Sequence, residues 1–261
     1  MNMTVKMMTL AALGAATLVS YAANGKPDKP KPLDPEKSAK YIAFQGGLVM
    51  PPDNGNRILV WDATGKASAA VSTFTNVAKQ VLSLPFAVRT NSFAGCAYVA
   101  AKGVKSAKFP AVLVIREAGG EMPSLAVFPE EAIGCINFSS LADQDAELTA
   151  KRVEKELFRA LGFALGGYSV SRTACVMDAV HSREELDANE VVLLSPMRRP
   201  GINRAAEKLH LPILRKTLYS QAVRQGWAPA PTNDQQKAIW EKAHAIPKKP
   251  MRIEFDPKKG R

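Results

Sequence analysis

The chain has 261 residues, 46% of them hydrophobic and 23% charged, with 35 Lys and Arg against 24 Asp and Glu for a formal charge of +11. That length suits one large domain or two small ones, and the composition excludes collagen, coiled-coil and low-complexity chains. The positive balance is compatible with an anionic partner but identifies none.

Met1 to Ala23 carries one cation, Lys6, followed by the apolar run MMTLAALGAATLV and the small residues of SYA and AANG. This is the layout of a secretory signal peptide with cleavage after Ala22. The uncharged stretch from Met7 to Ala23 covers 17 residues, the lower limit of about 17–25 for a spanning helix, so no transmembrane anchor is expected after cleavage. The expected location is secreted or periplasmic. Asn24 to Ser38 holds four prolines among alternating charges, a composition that stays extended and solvated. The C-terminal stretch from Pro247 holds six cations and two acids, which reads as a solvated tail or as a contact for an anionic envelope polymer. The expected organisation is therefore a signal peptide (1–22), a Pro/Lys-rich linker (23–40), one domain (41–246) and a basic tail (247–261).

Within the domain, RILVWDA (Arg57 to Ala63) reads as a strand. Val71, Phe74, Val77, Ala78 and Val81 then recur on one face of a helix that ends before Pro85. PFAVRTN, AVLVIRE (Ala111 to Glu117), SLAVFPE and AIGCINFSS read as four further strands, with AVLVIRE apolar enough for burial on both faces. The order predicts an α/β fold with a mixed, twisted sheet. Thr149 is a candidate N-cap for TAKRVEKELFRALGFALGG, whose Val153, Leu157, Ala160, Leu161 and Ala164 form one apolar face, and Gly166 with Gly167 ends it as a glycine C-cap. Farther on, Leu209, Leu211, Ile213, Leu214 and Leu218 suggest a covering helix, and Thr232 or Asn233 suits the cap of another through Trp240. Of the three cysteines, Cys96 falls in a loop-like GCAY, Cys135 in a strand and Cys175 in a turn; at most one pair can form, and the sequence leaves open which.

The helix, its glycine turn and the following CVM resemble the archaemetzincins, a branch of the metzincin zinc peptidases. The metzincin pattern is H-E-x-x-H-x-x-G-x-x-H followed by a methionine turn, and the archaemetzincins continue it as C-x4-C-x-M-x17-C-x-x-C, with the cysteines holding a second zinc. Anchored on Gly166, the first part falls on RALGFALGGYS and the second places Cys175 and Met177 on C-x-M without a gap. Arg159, Phe163 and Ser169 then stand at the three histidine positions and Ala160 at the general-base glutamate. Val170, Ser195 and Arg198 replace three of the four cysteines, and Cys175 is retained. The resemblance spans roughly Arg57 to Arg198 and implies a metzincin-like fold with an active-site-type helix and Met-turn, plus C-terminal helices.

Two histidines at i and i+4 share a helix face and can bind one zinc, while the intervening glutamate takes a proton from the bound water. Arg does not release its proton and Phe has no donor atom, so neither replaces imidazole. The resemblance thus implies zinc in the family but no cofactor here: a catalytically inactive pseudopeptidase with a binding or structural role in the cell envelope, peptide in the old cleft being one candidate ligand. The alternatives are a zinc metallopeptidase with an unconventional site and an anionic-glycan binder acting through the basic tail. Cys175, Asp178 and His181 are close enough in sequence to form a partial metal site. Arg159 either receives a carboxylate, forms an internal salt bridge, for example with Glu156 or Glu154, or is simply exposed. Met177 reads as packing under the helix. Nucleic acid is disfavoured by export and because the basic stretches lack interleaved aromatics.

Overall fold

The computed structural model describes residues 34–119, 121–167 and 175–245. The expected signal peptide, most of the expected linker, the C-terminal basic stretch, Ser169 and Val170 lie outside the described residues.

The chain opens with α1 (Pro35–Phe44), started by Asp34, whose carboxylate accepts the Glu36 amide, and by proline at the first turn. The linker expected through Lys40 therefore gives way to helix at Pro35. This one proline sits where its missing N–H costs nothing. A short β1 (Leu48–Val49) leads into β2 (Ile58–Asp62), α2 (Ser68–Leu82), β3 (Phe86–Thr90), α3 (Ala97–Val104), β4 (Ala111–Arg116), β5 (Leu125–Phe128) and β6 (Ile133–Asn137). After the single turn α4 (Phe138–Leu141) comes the long α5 (Ala146–Ala164), then α6 (Arg183–Ala188), α7 (Arg199–Lys208), β7 (Thr217–Leu218), α8 (Tyr219–Gln225) and α9 (Asp234–Ala245).

Five strands form the main sheet in the order β3-β2-β4-β6-β5. β3, β2, β4 and β6 are mutually parallel, while β5 pairs β6 antiparallel and ends the sheet. β2 is buried throughout and β4 through Ile115, as strands covered on both faces must be. Two apolar clusters lie on opposite faces. Ile58, Val60, Leu113 and Ile115 face α2 and α5, whereas Leu59, Trp61, Val112 and Val114 face α3. Separately, β1 and β7 pair antiparallel in a two-stranded ribbon. The sequence-predicted strands and α2 are all present, and the sheet is mixed as expected.

Four expectations change. The cap of α5 is Asp145, whose carboxylate accepts the amides of Glu147 and Leu148. Thr149 instead lies in the first turn, its hydroxyl accepting the Asp143 amide at 2.9 Å and facing the Asp145 carbonyl at 3.1 Å. Cys96 ends its loop as the residue preceding α3, a helix whose small-residue pattern gave little periodic signal. The helix suggested for Leu209 to Leu218 is absent: α7 ends at Lys208, His210 takes a left-handed φ of 53°, and Pro212 withholds a donor. The segment runs on outside helix, and the Leu214 amide donates to the Ser83 carbonyl. Asn233 does cap α9, accepting the Gln236 amide at 2.9 Å, but the helix continues past Trp240 to Ala245.

Candidate functional site

α5 crosses beneath the sheet. Val153, Leu157, Ala160, Leu161 and Ala164 are all buried, as one apolar stripe at helical spacing requires. Its end is a Schellman turn: Gly166 has φ +74°, its amide donates to the Phe163 carbonyl, and the Gly167 amide donates to the Gly162 carbonyl.

Met177 packs under this end of the helix. A Cβ on Gly162 would stand 2.5 Å from the Met177 sulfur, and one on Gly167 would stand 2.5 Å from its methyl. Both glycines are therefore demanded by the close approach of Cys175-Val176-Met177, all three fully buried. Ser195 also meets this turn, its amide donating to the Cys175 sulfur at 3.3 Å. Cys175 and Ser195 are thus in contact. Arg198 lies on the single 3-10 turn that follows.

The positions laid on the zinc ligands hold different chemistry. Arg159 is 7% exposed, and its Nε lies 3.2 Å from Glu156 Oε2, with those side chains 9% and 1% exposed. Neither atom has a hydrogen-bond partner among the described residues, so the contact is an ion pair without hydrogen-bond alignment. The other carboxylate oxygen accepts the Ser124 hydroxyl at 2.9 Å, at the entry to β5. Arg159 also donates to the Asp178 carbonyl at 3.3 Å, tying α5 to the turn that follows Met177. Burial pushes the Glu156 carboxyl above its ordinary range, with Arg159 and Ser124 pulling it back. The internal salt bridge, with Glu156 rather than Glu154, is thus the arrangement Arg159 adopts.

Ala160, at the glutamate position, is fully buried, and its methyl is 2.9 Å from where a Cβ on Gly134 of β6 would stand. The pair of small residues lets helix and strand approach closely. Phe163 is half-buried and packs against the main apolar cluster. Arg, Ala and Phe offer no metal donor at these positions, so they do not fit zinc.

Sequence reasoning overlooked the other charged residues on α5. Arg152 forks onto Asp187 of α6, Nε to Oδ1 at 2.8 Å and Nη2 to Oδ2 at 2.6 Å, and also reaches Asp143 at 3.1 Å. Lys155 donates to the Leu186 carbonyl at 2.7 Å. These two cations and Arg159 recur at spacings of three and four, a signal the sequence carries but which the apolar stripe obscures. The partial site suggested by Cys175, Asp178 and His181 does not assemble. Cys175 is buried against Ser195, Asp178 is half-buried and His181 is exposed. Among the described residues no three His, Cys, Asp or Glu side chains are grouped to hold a metal ion.

The parallel sheet with one antiparallel edge strand, the helix beneath it, the glycine turn and the methionine below define an archaemetzincin-like α/β fold. An archaemetzincin from Methanopyrus kandleri matches with a TM-score of 0.51 and 18% identity, over 60% of this chain and 98% of that one. An archaemetzincin from Archaeoglobus fulgidus (TM-score 0.44, 18% identity, 56% and 99% of the two chains) and a zinc-dependent peptidase from Methanocorpusculum labreanum (0.44, 12%, 56% and 100%) also match. At these identities the likeness concerns the fold. No protein-family description and no curated protein matches the sequence.

Proposed function

We propose that this chain is an exported, non-catalytic archaemetzincin-like protein that binds extended peptide in the cell envelope. The observation that carries this reading is the Glu156–Arg159 pair. Where the family pattern has its first histidine, a buried guanidinium is neutralised by the chain's own carboxylate and anchors the helix to the turn after Met177. An internal cross-link thus stands in the place of a metal cross-link, and the methyl of Ala160 replaces the base.

The binding half of the proposal rests on β5. It pairs with β6 on one side, and no described strand pairs with the other. The Ser124 carbonyl accepts the Asn137 amide, so by alternation Leu125 and Val127 turn their backbone groups to the open side. An extended peptide adding there gains main-chain hydrogen bonds without any catalytic group. The test is a screen of extended peptides against the parent and Val127→Pro, which removes one outward donor. The parent should bind a subset of peptides and Val127→Pro should lose that binding while keeping its fold; equal binding by both overturns the edge reading. N-terminal sequencing of the exported protein tests the export half, with a start near Ala23 expected and an intact Met1 contradicting it.

A further inference from the structure

We propose that Cys96 and Cys135 form a redox-active thiol pair that closes to an intrachain disulfide, while Cys175 stays out of reach. The topology selects this pair. Side chains alternate along β6: Gly134 meets Ala160 of α5, whereas Cys135 belongs to the cluster covered by α3. Cys175 is buried in the other cluster, on the α5 face, so the sheet stands between it and Cys135. Cys96 immediately precedes α3, the helix on the same face of the sheet as Cys135. The first turn of that helix is fixed over β5 and β6 by Tyr98, whose ring centroid is 4.2 Å from that of Phe128, the residue paired with Ile133. Cys135 is two residues farther along that same face.

The two thiols differ in the way an attacking and a resolving thiol must. Cys96 is exposed, and the amides of Val99 and Tyr98 at the start of α3, with the Arg116 cation, hold its sulfur below the ordinary thiol range. Cys135 is half-buried and pushed up to about 11, chiefly by burial and further by the charge of Cys96. The oxidant is a low-molecular-weight disulfide. The Cys96 thiolate attacks one of its sulfurs, forming a mixed disulfide and releasing one thiolate. Cys135 then gives up its proton and attacks the Cys96 sulfur, breaking the mixed bond and releasing the second thiol. Two protein thiols are oxidised and one small disulfide is reduced to two thiols.

The test is to incubate the reduced full chain with oxidised glutathione and map its peptides without reduction. The expected result is loss of two of the three titratable thiols, a Cys96–Cys135 cross-link in the monomer, and Cys175 labelled only after denaturation. In Cys135→Ala the reaction should stop at a glutathione adduct on Cys96, and in Cys175→Ala the cross-link should still form. A lasting adduct on Cys96 in the parent, a link to Cys175, or an intermolecular dimer through Cys96 overturns the proposal.

Discussion

Replacing Arg159 by Met leaves Glu156 buried without its counter-charge. The carboxylate is wholly buried, its partner's side chain is 9% exposed, and its remaining contact is the Ser124 hydroxyl at 2.9 Å. Removing one member of so enclosed a pair costs about 3–5 kcal/mol, because the other charge stays in a poorly solvating environment. The cost depends on pH. Burial already holds the Glu156 carboxyl above its unfolded value of about 4.3, so between that value and the folded one the native state binds more protons, and stability falls as pH rises. Losing the cation raises the folded value further and widens this window. Urea titrations at pH 4 and pH 8 should show Arg159→Met destabilised far more at pH 8, and the double variant Glu156→Gln/Arg159→Met should recover part of the loss. A midpoint equal to the parent's at pH 8, or the same loss at both pH values, would refute the buried-charge argument.

Reintroducing histidine at i and i+4, as Arg159→His/Phe163→His in a Glu156→Gln background, should raise zinc affinity by about tenfold or more, equivalent to 1.4 kcal/mol. Calorimetric titration with zinc checks it, and an unchanged affinity in a folded variant would mean that the two side chains do not converge. Ala160→Glu should lower stability by at least about 1–3 kcal/mol in denaturant titrations, since the methyl already fills its seat against Gly134; an unperturbed variant would show that the helix can draw back from β6. Asp187→Ala should cost about 1.5–3 kcal/mol through loss of the Arg152 fork, with Asp143 left as the cation's remaining carboxylate. Because Arg152 holds the Asp187 carboxyl below its ordinary value, that contribution is complete above about pH 3.9 and is lost as pH falls through the lower folded value, so parent and variant should converge in acid.

The strands were legible because each is a short apolar run between turn residues, and α5 because its stripe is unbroken and its glycine turn is local chemistry. α3 was not, since AYVAAKGV carries small residues whose burial depends on the sheet below. The segment after α7 misled because its leucines keep a helical spacing that a left-handed His210 and Pro212 interrupt. At the site, the sequence offered both Glu156 and Glu154 as partners for Arg159, and the packing of α5 selects Glu156, while the contact of Ser195 with Cys175 emerges only from the fold. The fork of Arg152 onto Asp187 spans 35 positions and could emerge only from the packing of α6 on α5.

Whether the proposed ion pair of Glu156 and Arg159 stands where a catalytic zinc would sit is decided by the metal content of the purified protein together with its chelator-sensitive peptidase activity. Well under one zinc per chain and no cleavage that a chelator abolishes are the expected results. One tightly bound zinc per chain with chelator-sensitive cleavage would contradict the proposal.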